Sequence, residues 1–418
     1  MRIHWIWLAT RSGVSDLGRQ SLLEHFEDAE SIYFAADDAY ARIPGLSADA
    51  AASLRDKNLA EAEWITEECN LKNIHILTWQ DAAFPTRLKN IPDPPVVLYY
   101  KGKLPEFDAL PLIGVVGTRS ASAYGLTIAK RMGSQIAACG GVVVSGMAYG
   151  VDGMAMRGAL TADGFVVGVL GCGADIIYPL SNRALFADTE QQGCILTEFP
   201  PGTPPAKWTF PKRNRIISGL SCGVLVVEAP EKSGALITAR LAAEQGRDVF
   251  VVPGNIDVAS CRGSNALLRD GAIAVSSGWD VMSEYKGMYP GKVHESHAVS
   301  HQTAYADEVE KQKEAPLKVA QKPATPGNKG VKRRLFGKKE VDKEETSHYI
   351  DAEVKMPPLS PEEERIVALL RQNVTLVDDM MHLSAMDAGA VLTALTMLEI
   401  KGVLTRLTGK RVELKHLK

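Results

Sequence analysis

The sequence predicts an α/β protein: a parallel, doubly wound sheet, preceded by a small helical module and followed by three helices with a β-hairpin. Three observations carry that expectation. Short β-branched runs between Leu112 and Tyr285 (LIGVVG, VVVSG, FVVGVLG, CILTEF, CGVLVVEA, DVFVVPG and AIAVSS) alternate with segments of crossover-helix length. Continuous Val/Ile runs mark strands covered on both faces, as in a parallel sheet. Toward both ends of the chain the apolar residues instead recur at the three- and four-residue spacing of helices.

In chain order, residues 1–75 are expected to form the helical module, with apolar residues at three- and four-residue spacing (Leu17, Leu22, Leu23 and Phe26) and a tight IPGLS turn at Ile43 to Ser47. The apolar stretch from His4 to Ala9 is too short for a signal segment, and no later run approaches bilayer length. A soluble, cytoplasmic protein is the expectation. Residues 76–285 hold the sheet, with the proline-rich segment His75 to Gly102 as an edge or bridging element. Residues 286–357 are polar and lack apolar periodicity, so they are expected to form a disordered linker. Its basic patch, Lys332 to Lys339, is open to two readings: solvated charge, or an accessory nucleic-acid contact.

In residues 358–418, Ser360 is placed to cap a helix with Pro361 at its first position. Segments Val377 to Leu383 and Asp387 to Ile400 follow, then a hairpin around Thr408-Gly409. That order predicts a winged helix. Its third helix contains no cation, which leaves protein tethering and DNA contact both open.

The 418 residues are 45% hydrophobic and 23% charged with a net charge of −3, enough for several domains but without a global polyanion-binding signature. Any such site must come from local clustering. The six cysteines are scattered, with neither C-x-x-C nor metal-ligand spacing, and read as reduced, buried thiols.

The run FPKRNRIISGLS, from Phe210 to Ser221, is the densest local cluster. It sets Lys212, Arg213, Asn214 and Arg215 side by side, just before the strand-like segment Cys222 to Glu228, as a group able to hold several phosphates. Glycine-bearing turns follow successive strands: Gly117-Thr118-Arg119-Ser120, leading to Ser122, Tyr124 and Gly125; Ser145 to Asp152; Gly171 to Asp175; and Lys232-Ser233-Gly234-Ala235. Such turns expose N–H groups at helix N-termini, where an anion is favoured, and also serve as packing turns. Open α/β sheets gather them along the carboxyl edge.

Nothing in this region reads as catalytic machinery. There is no HExxH, and no histidine between Leu112 and Tyr285. The acidic residues Asp152, Asp175, Glu198 and Glu228 fall at strand ends, where capping and ion pairing are the usual roles. A binding platform without cofactor or metal is expected. A nicotinamide dehydrogenase is disfavoured by the first loop's glycine spacing and by the lack of an acidic residue ending the second strand.

At GVVGTRSASAYG (Gly114 to Gly125), SGMAYGVD (Ser145 to Asp152), GCGADIIYPLSN (Gly171 to Asn182), TEFPPGTPP (Thr197 to Pro205), FPKRNRIISGLS, VVEAPEKSGALITA (Val226 to Ala239) and VPG followed by RGSNALLRDGA, the chain resembles the bacterial DNA-processing protein A (DprA, or Smf) family. The resemblance covers most of the chain. It implies an extended Rossmann-like core that binds single-stranded DNA, homodimerises and delivers strands to the RecA recombinase during natural transformation. It also implies an N-terminal module of the sterile-alpha-motif or helix-hairpin-helix kind and a C-terminal winged helix.

On matching positions the resemblance places Arg119, Ser145, Gly146, Lys212, Arg213, Asn214, Arg215, Ser233 and Gly234 in the DNA pocket, with Phe210 or Tyr124 available to stack on a base. One departure is Ala155-Met156, where the family usually has Ala-His. The enzymatic alternative is a nucleotide hydrolase similar to the phosphoribohydrolases. Those carry P-G-G-x-G-T-x-x-E, whereas the comparable turn here, Lys232 to Ala239, lacks the glutamate.

Overall fold

The computed structural model describes residues 2–296 and, toward the C-terminus, residues 359–371, 377, 380, 383–384, 386–401, 403–407 and 411–414. They fall into two compact units, the first within Met1–Ala320 and the second within Gln321–Lys418.

The first unit opens with α1 (Arg2–Thr10), α2 (Asp16–His25), α3 (Ala29–Phe34), α4 (Ala48–Arg55) and α5 (Ala60–Leu71). Ser15, Asp28 and Ser47 each accept an N–H from the residue three positions on, capping α2, α3 and α4. Each such cap contributes about 1 kcal/mol. Trp5, Ile6, Trp7 and Leu8 of α1 are buried, so the apolar run at the start of the chain is the module's core. That core continues into Val97 and Tyr99, which fastens the module to the edge of the sheet.

The sheet comprises β1 (His75–Thr78), β2 (Val97–Gly102), β3 (Leu112–Val116), β4 (Val142–Ser145), β5 (Val166–Val169), β6 (Gly193–Thr197), β7 (Gly223–Val226), β8 (Asp248–Val251) and β9 (Ile273–Ala274). Its order is β1-β2-β6-β5-β4-β3-β7-β8-β9. β1 and β2 join antiparallel at one edge, with Tyr99 opposite Thr197, and the other pairings are parallel. From β3 the chain winds outward through β4, β5 and β6, then returns to the other side of β3 as β7. The winding reverses between β3 and β7, and at such a switch point the loops beyond the two carboxyl ends diverge and leave a crevice.

The helices are α6 (Thr86–Lys89), α7 (Ala123–Ala138), α8 (Val151–Thr161), α9 (Arg183–Gln192), α10 (Thr209–Leu220), α11 (Gly234–Glu244), α12 (Arg262–Arg269) and α13 (Gly278–Ser283). One apolar cluster joins α7, α8, α9 and α13 to the sheet through Met132, Ile136, Val151, Met156, Leu185 and Val281. A second joins α6, α10 and α11 through Leu88, Ile216, Ile217, Leu220 and Ala239. Ile216 and Ile217 are fully buried, each worth about 1.5–3 kcal/mol. They fix which side of α10 faces the sheet, and so where its polar residues point.

The core runs past the expected boundary at residue 285. Tyr289 and Val293 are buried in it, and the Tyr289 hydroxyl contacts Arg87 and lies 3.3 Å from Cys222 Sγ. Polar neighbours obscured these two apolar anchors in the sequence. Residues 297–357 of the expected linker, including the patch Lys332 to Lys339, lie outside the described residues. No helix among the described residues is long and apolar enough to cross a membrane.

In the second unit, α14 (Pro361–Arg371) and α15 (Ala388–Ile400) pack with a hairpin of β10 (Leu404–Leu407) and β11 (Arg411–Leu414). Ser360 Oγ accepts the Glu363 N–H at 3.3 Å, and Glu363 Oε2 accepts the Ser360 N–H at 2.7 Å, the reciprocal cap that starts α14. The expected helix from Val377 to Leu383 and the turn at Thr408-Gly409 lie largely outside the described residues.

Candidate nucleic-acid interface

A cleft of about 620 Å³ opens at the carboxyl ends of β3 and β7. Arg119 from the β3 loop, Lys207, Phe210, Arg213 and Asn214 from the start of α10, and Lys232 to Ala235 from the start of α11 line it. Four cations (Arg119, Lys207, Arg213 and Lys232) face it against one carboxylate, Asp152. The excess of positive charge is therefore local, in a chain that is slightly acidic overall.

Arg213 is the fixed centre of the site. It is 4% exposed, and its Nη1 donates to the Val169 carbonyl at 2.6 Å, so the end of β5 sets its position. Its Nε finds no hydrogen-bond partner. Burial pulls its pKa down and Asp152 opposes that shift; the guanidinium starts so high that it stays charged. Asp152 accepts the Gly146 N–H at 3.1 Å; burial pushes its pKa up, against the pull of Arg213 and the N–H groups of Gly146 and Ala148.

The rim is aromatic and carries an exposed cation. Arg119 is exposed, with its Cζ 4.9 Å from the centroid of Phe210. Tyr178 lies tilted against the same ring, centroids 5.7 Å apart. Asn214 Nδ2 reaches the Gly234 carbonyl at 3.4 Å, and Ser233 caps α11 by accepting the Ala235 N–H at 3.2 Å. A Cβ at Gly234 would meet nothing within 4 Å, so this helix N-terminus opens onto free space.

The N-terminus of α7 behaves otherwise. Glu228, at the end of β7, accepts from the Ser122 hydroxyl at 2.8 Å and from the Ser122 N–H at 3.2 Å. Gly125 permits this approach, since a Cβ there would collide with the Glu228 carboxylate. The anion expected at the Gly117 to Gly125 turn is thus the protein's own side chain, which leaves Arg119 as that loop's contribution to the cleft.

Of the residues expected in the pocket, Arg119, Arg213, Asn214, Ser233 and Gly234 come together in this cleft. Gly146 stands against the Arg213 guanidinium, and a side chain there would displace it. Ser145 is fully buried and donates to the Val115 carbonyl at 2.6 Å, tying β4 to β3. Arg215 is buried, with Nε 2.6 Å from Asp93 and Nη2 2.6 Å from Glu198. Burial opposes its charge, but the two carboxylates outweigh that and its pKa is raised. Lys212 lines a smaller groove on the other side of α10. The cause is the helix: consecutive residues turn by about 100°, so a block contiguous in sequence is dispersed in space.

Sequence reasoning missed Lys207, and named Lys232 as part of a glycine-bearing turn without placing it in the pocket. Lys207 precedes Phe210 by three positions and the start of α10 by two, a placement that signals it only once the helix start is known. The acidic residues have structural partners: Asp175 meets Lys72 Nζ at 2.9 Å, Glu198 meets Arg215, and Glu228 caps α7.

The family model of DNA recombination-mediator protein A matches residues 75–286, and that of the DprA winged helix domain matches residues 351–410. Protein Smf of Synechocystis sp. is 32% identical over 98% of this chain and 98% of its own. The chain belongs to the DprA/Smf family. DNA processing protein DprA of Bacillus subtilis is 43% identical over 51% of this chain and 72% of its own length. The X-ray structure of DprA from Streptococcus pneumoniae matches with a TM-score of 0.61 at 33% identity, covering 68% of this chain and 98% of that one. Where the DprA resemblance leads to an expected histidine, Met156 is fully buried in the apolar cluster under α8, outside the cleft.

Proposed function

We propose that this chain captures single-stranded DNA in the cleft between β3 and β7, without turnover, and passes it to a RecA recombinase during DNA uptake. The observation that carries this reading is the buried Arg213, with an unpartnered Nε, lining a cleft that has cations and the Phe210–Tyr178 pair at its rim. A phosphate oxygen supplies the partner that Nε lacks. Neutralising phosphates releases counterions, and the rings stack on any base, so binding is sequence-tolerant and favours unpaired strands.

Binding without turnover is the reading supported by the partners that engage Asp175, Glu198 and Glu228 and by the lack of a histidine between Leu112 and Tyr285. Delivery to RecA and homodimerisation come from the family resemblance, and a cytoplasmic setting from the scattered cysteines without disulfide or metal spacing. Gel-shift titration with a single-stranded oligonucleotide and its duplex tests the first part: the single strand is expected to bind more tightly, and equal or absent binding overturns the reading. For the second, RecA assembly on single strands coated with single-strand-binding protein is expected to accelerate when this chain is added. No acceleration would remove the delivery step.

A further inference from the structure

Trp208 is 62% exposed although its neighbours on both sides are engaged, Lys207 in the cleft and Thr209 in the first turn of α10. Its ring rests edge-on against Phe199, centroids 5.6 Å apart, in a groove of about 150 Å³ that Lys212, Arg19 and Glu198 also line. This groove lies on the opposite side of α10 from the cleft, between that helix and the N-terminal module. Phe210 points into the cleft and Trp208 into the groove, so the two aromatic residues flank the start of one helix.

The charges repeat the arrangement. Glu198 is held by Arg215 at 2.6 Å and adds no free negative charge, while Lys212 has no ion pair among the described residues. Lys207 on one side and Lys212 on the other give a run of positive potential across the helix start. An exposed indole beside an unpaired ammonium is the pairing that binds a base and its phosphate together.

We propose that the groove of Trp208 and Lys212 is a second nucleotide subsite, which takes the strand as it leaves the cleft and crosses the N-terminal turn of α10. This rests on the cleft reading above and extends it: the strand is gripped at two stacking points, and the helical module forms one wall of its path. Lys212 then contacts DNA outside the pocket in which the sequence placed it.

The test is binding of oligothymidylates of increasing length to the full chain and to W208A, W208F, K212A and R119A. W208A and K212A are expected to bind the shortest ligand that wild type binds with unchanged affinity. They should weaken longer ligands by about tenfold, within the range for losing one base–aromatic stack, and W208F should restore most of the loss. R119A should weaken binding at every length. If R119A weakens binding while W208A and K212A match wild type at all lengths, the subsite is overturned and the cleft stands. Equal loss at every length in W208A also overturns it, because the two points are then one site. If R119A binds like wild type, the cleft reading fails, and the subsite with it.

Discussion

Arg213 and Arg215 stand two positions apart on α10 and face away from each other: Arg213 donates to the Val169 carbonyl beside the cleft, and Arg215 closes on Asp93 and Glu198. One arginine is presented to a ligand and the other ties the helix to the segment that carries Asp93 and to the end of β6. Their variants should therefore fail in different ways.

Arg215→Met leaves Glu198 without its partner and Asp93 with Arg19 at 3.8 Å, and breaking such a buried pair costs about 3–5 kcal/mol. Denaturant unfolding should show that loss, while the folded fraction binds an oligonucleotide short enough to occupy the cleft alone with unchanged affinity. Loss of affinity at full folding would place Arg215 in the interface instead.

Arg119→Ala removes an exposed side chain whose ring contact is worth about 0.5–1 kcal/mol, so the unfolding midpoint should barely move. Affinity for single strands should fall, and the slope of log K against log salt should flatten by about 0.7, the share of one phosphate contact.

Gly146→Ala tests the packing behind the site. The added methyl meets the Arg213 guanidinium, and forcing atoms into a packed position costs about 1–3 kcal/mol. Expected outcomes are a lower unfolding midpoint and weaker DNA binding together, since the guanidinium must move. Retained affinity would show that the position of Arg213 does not matter.

The contrast between strands and site residues shows what the sequence could convey. The Val/Ile runs became β3 to β8 because burial on both faces writes itself into composition. Ser360 and Pro361 likewise marked the start of α14, because capping chemistry is local. The cluster from Lys212 to Arg215 misled because its grouping depended on backbone conformation: a helix with Ile216 and Ile217 against the sheet sends Arg213 and Arg215 to different sides. Glu228 as the anion of α7 depends on β3 pairing with β7, a contact between segments more than a hundred residues apart. Tyr289 and Val293 were two apolar residues in a polar stretch, too sparse to form a period.

A pH dependence arises in the helical module. Lys57 Nζ sits 4.8 Å from the ring centroid of Tyr40, 5.1 Å from Trp7 and 5.3 Å from Tyr33. Burial among these groups lowers its pKa to about 8, with Asp37 opposing. The folded state then binds fewer protons than the unfolded state between pH 8 and about 10, so stability should rise with pH across that window. Above about 10 tyrosines ionise in the unfolded chain while Tyr40, raised to about 12 by burial, does not, which reverses the trend. Unfolding free energies of wild type and Lys57→Met at several pH values should differ in slope only within that window; identical slopes would contradict the assignment.

The most direct test of the central claim is the salt dependence of single-strand binding by wild type and an R119A/K207A double variant. Four cations in the cleft predict a log–log slope of about −3 for wild type, at roughly 0.7 per phosphate, and about −1.4 for the variant, with weaker binding throughout. A double variant that binds as tightly as wild type at every salt concentration, with the same slope, would show that the strand is held elsewhere.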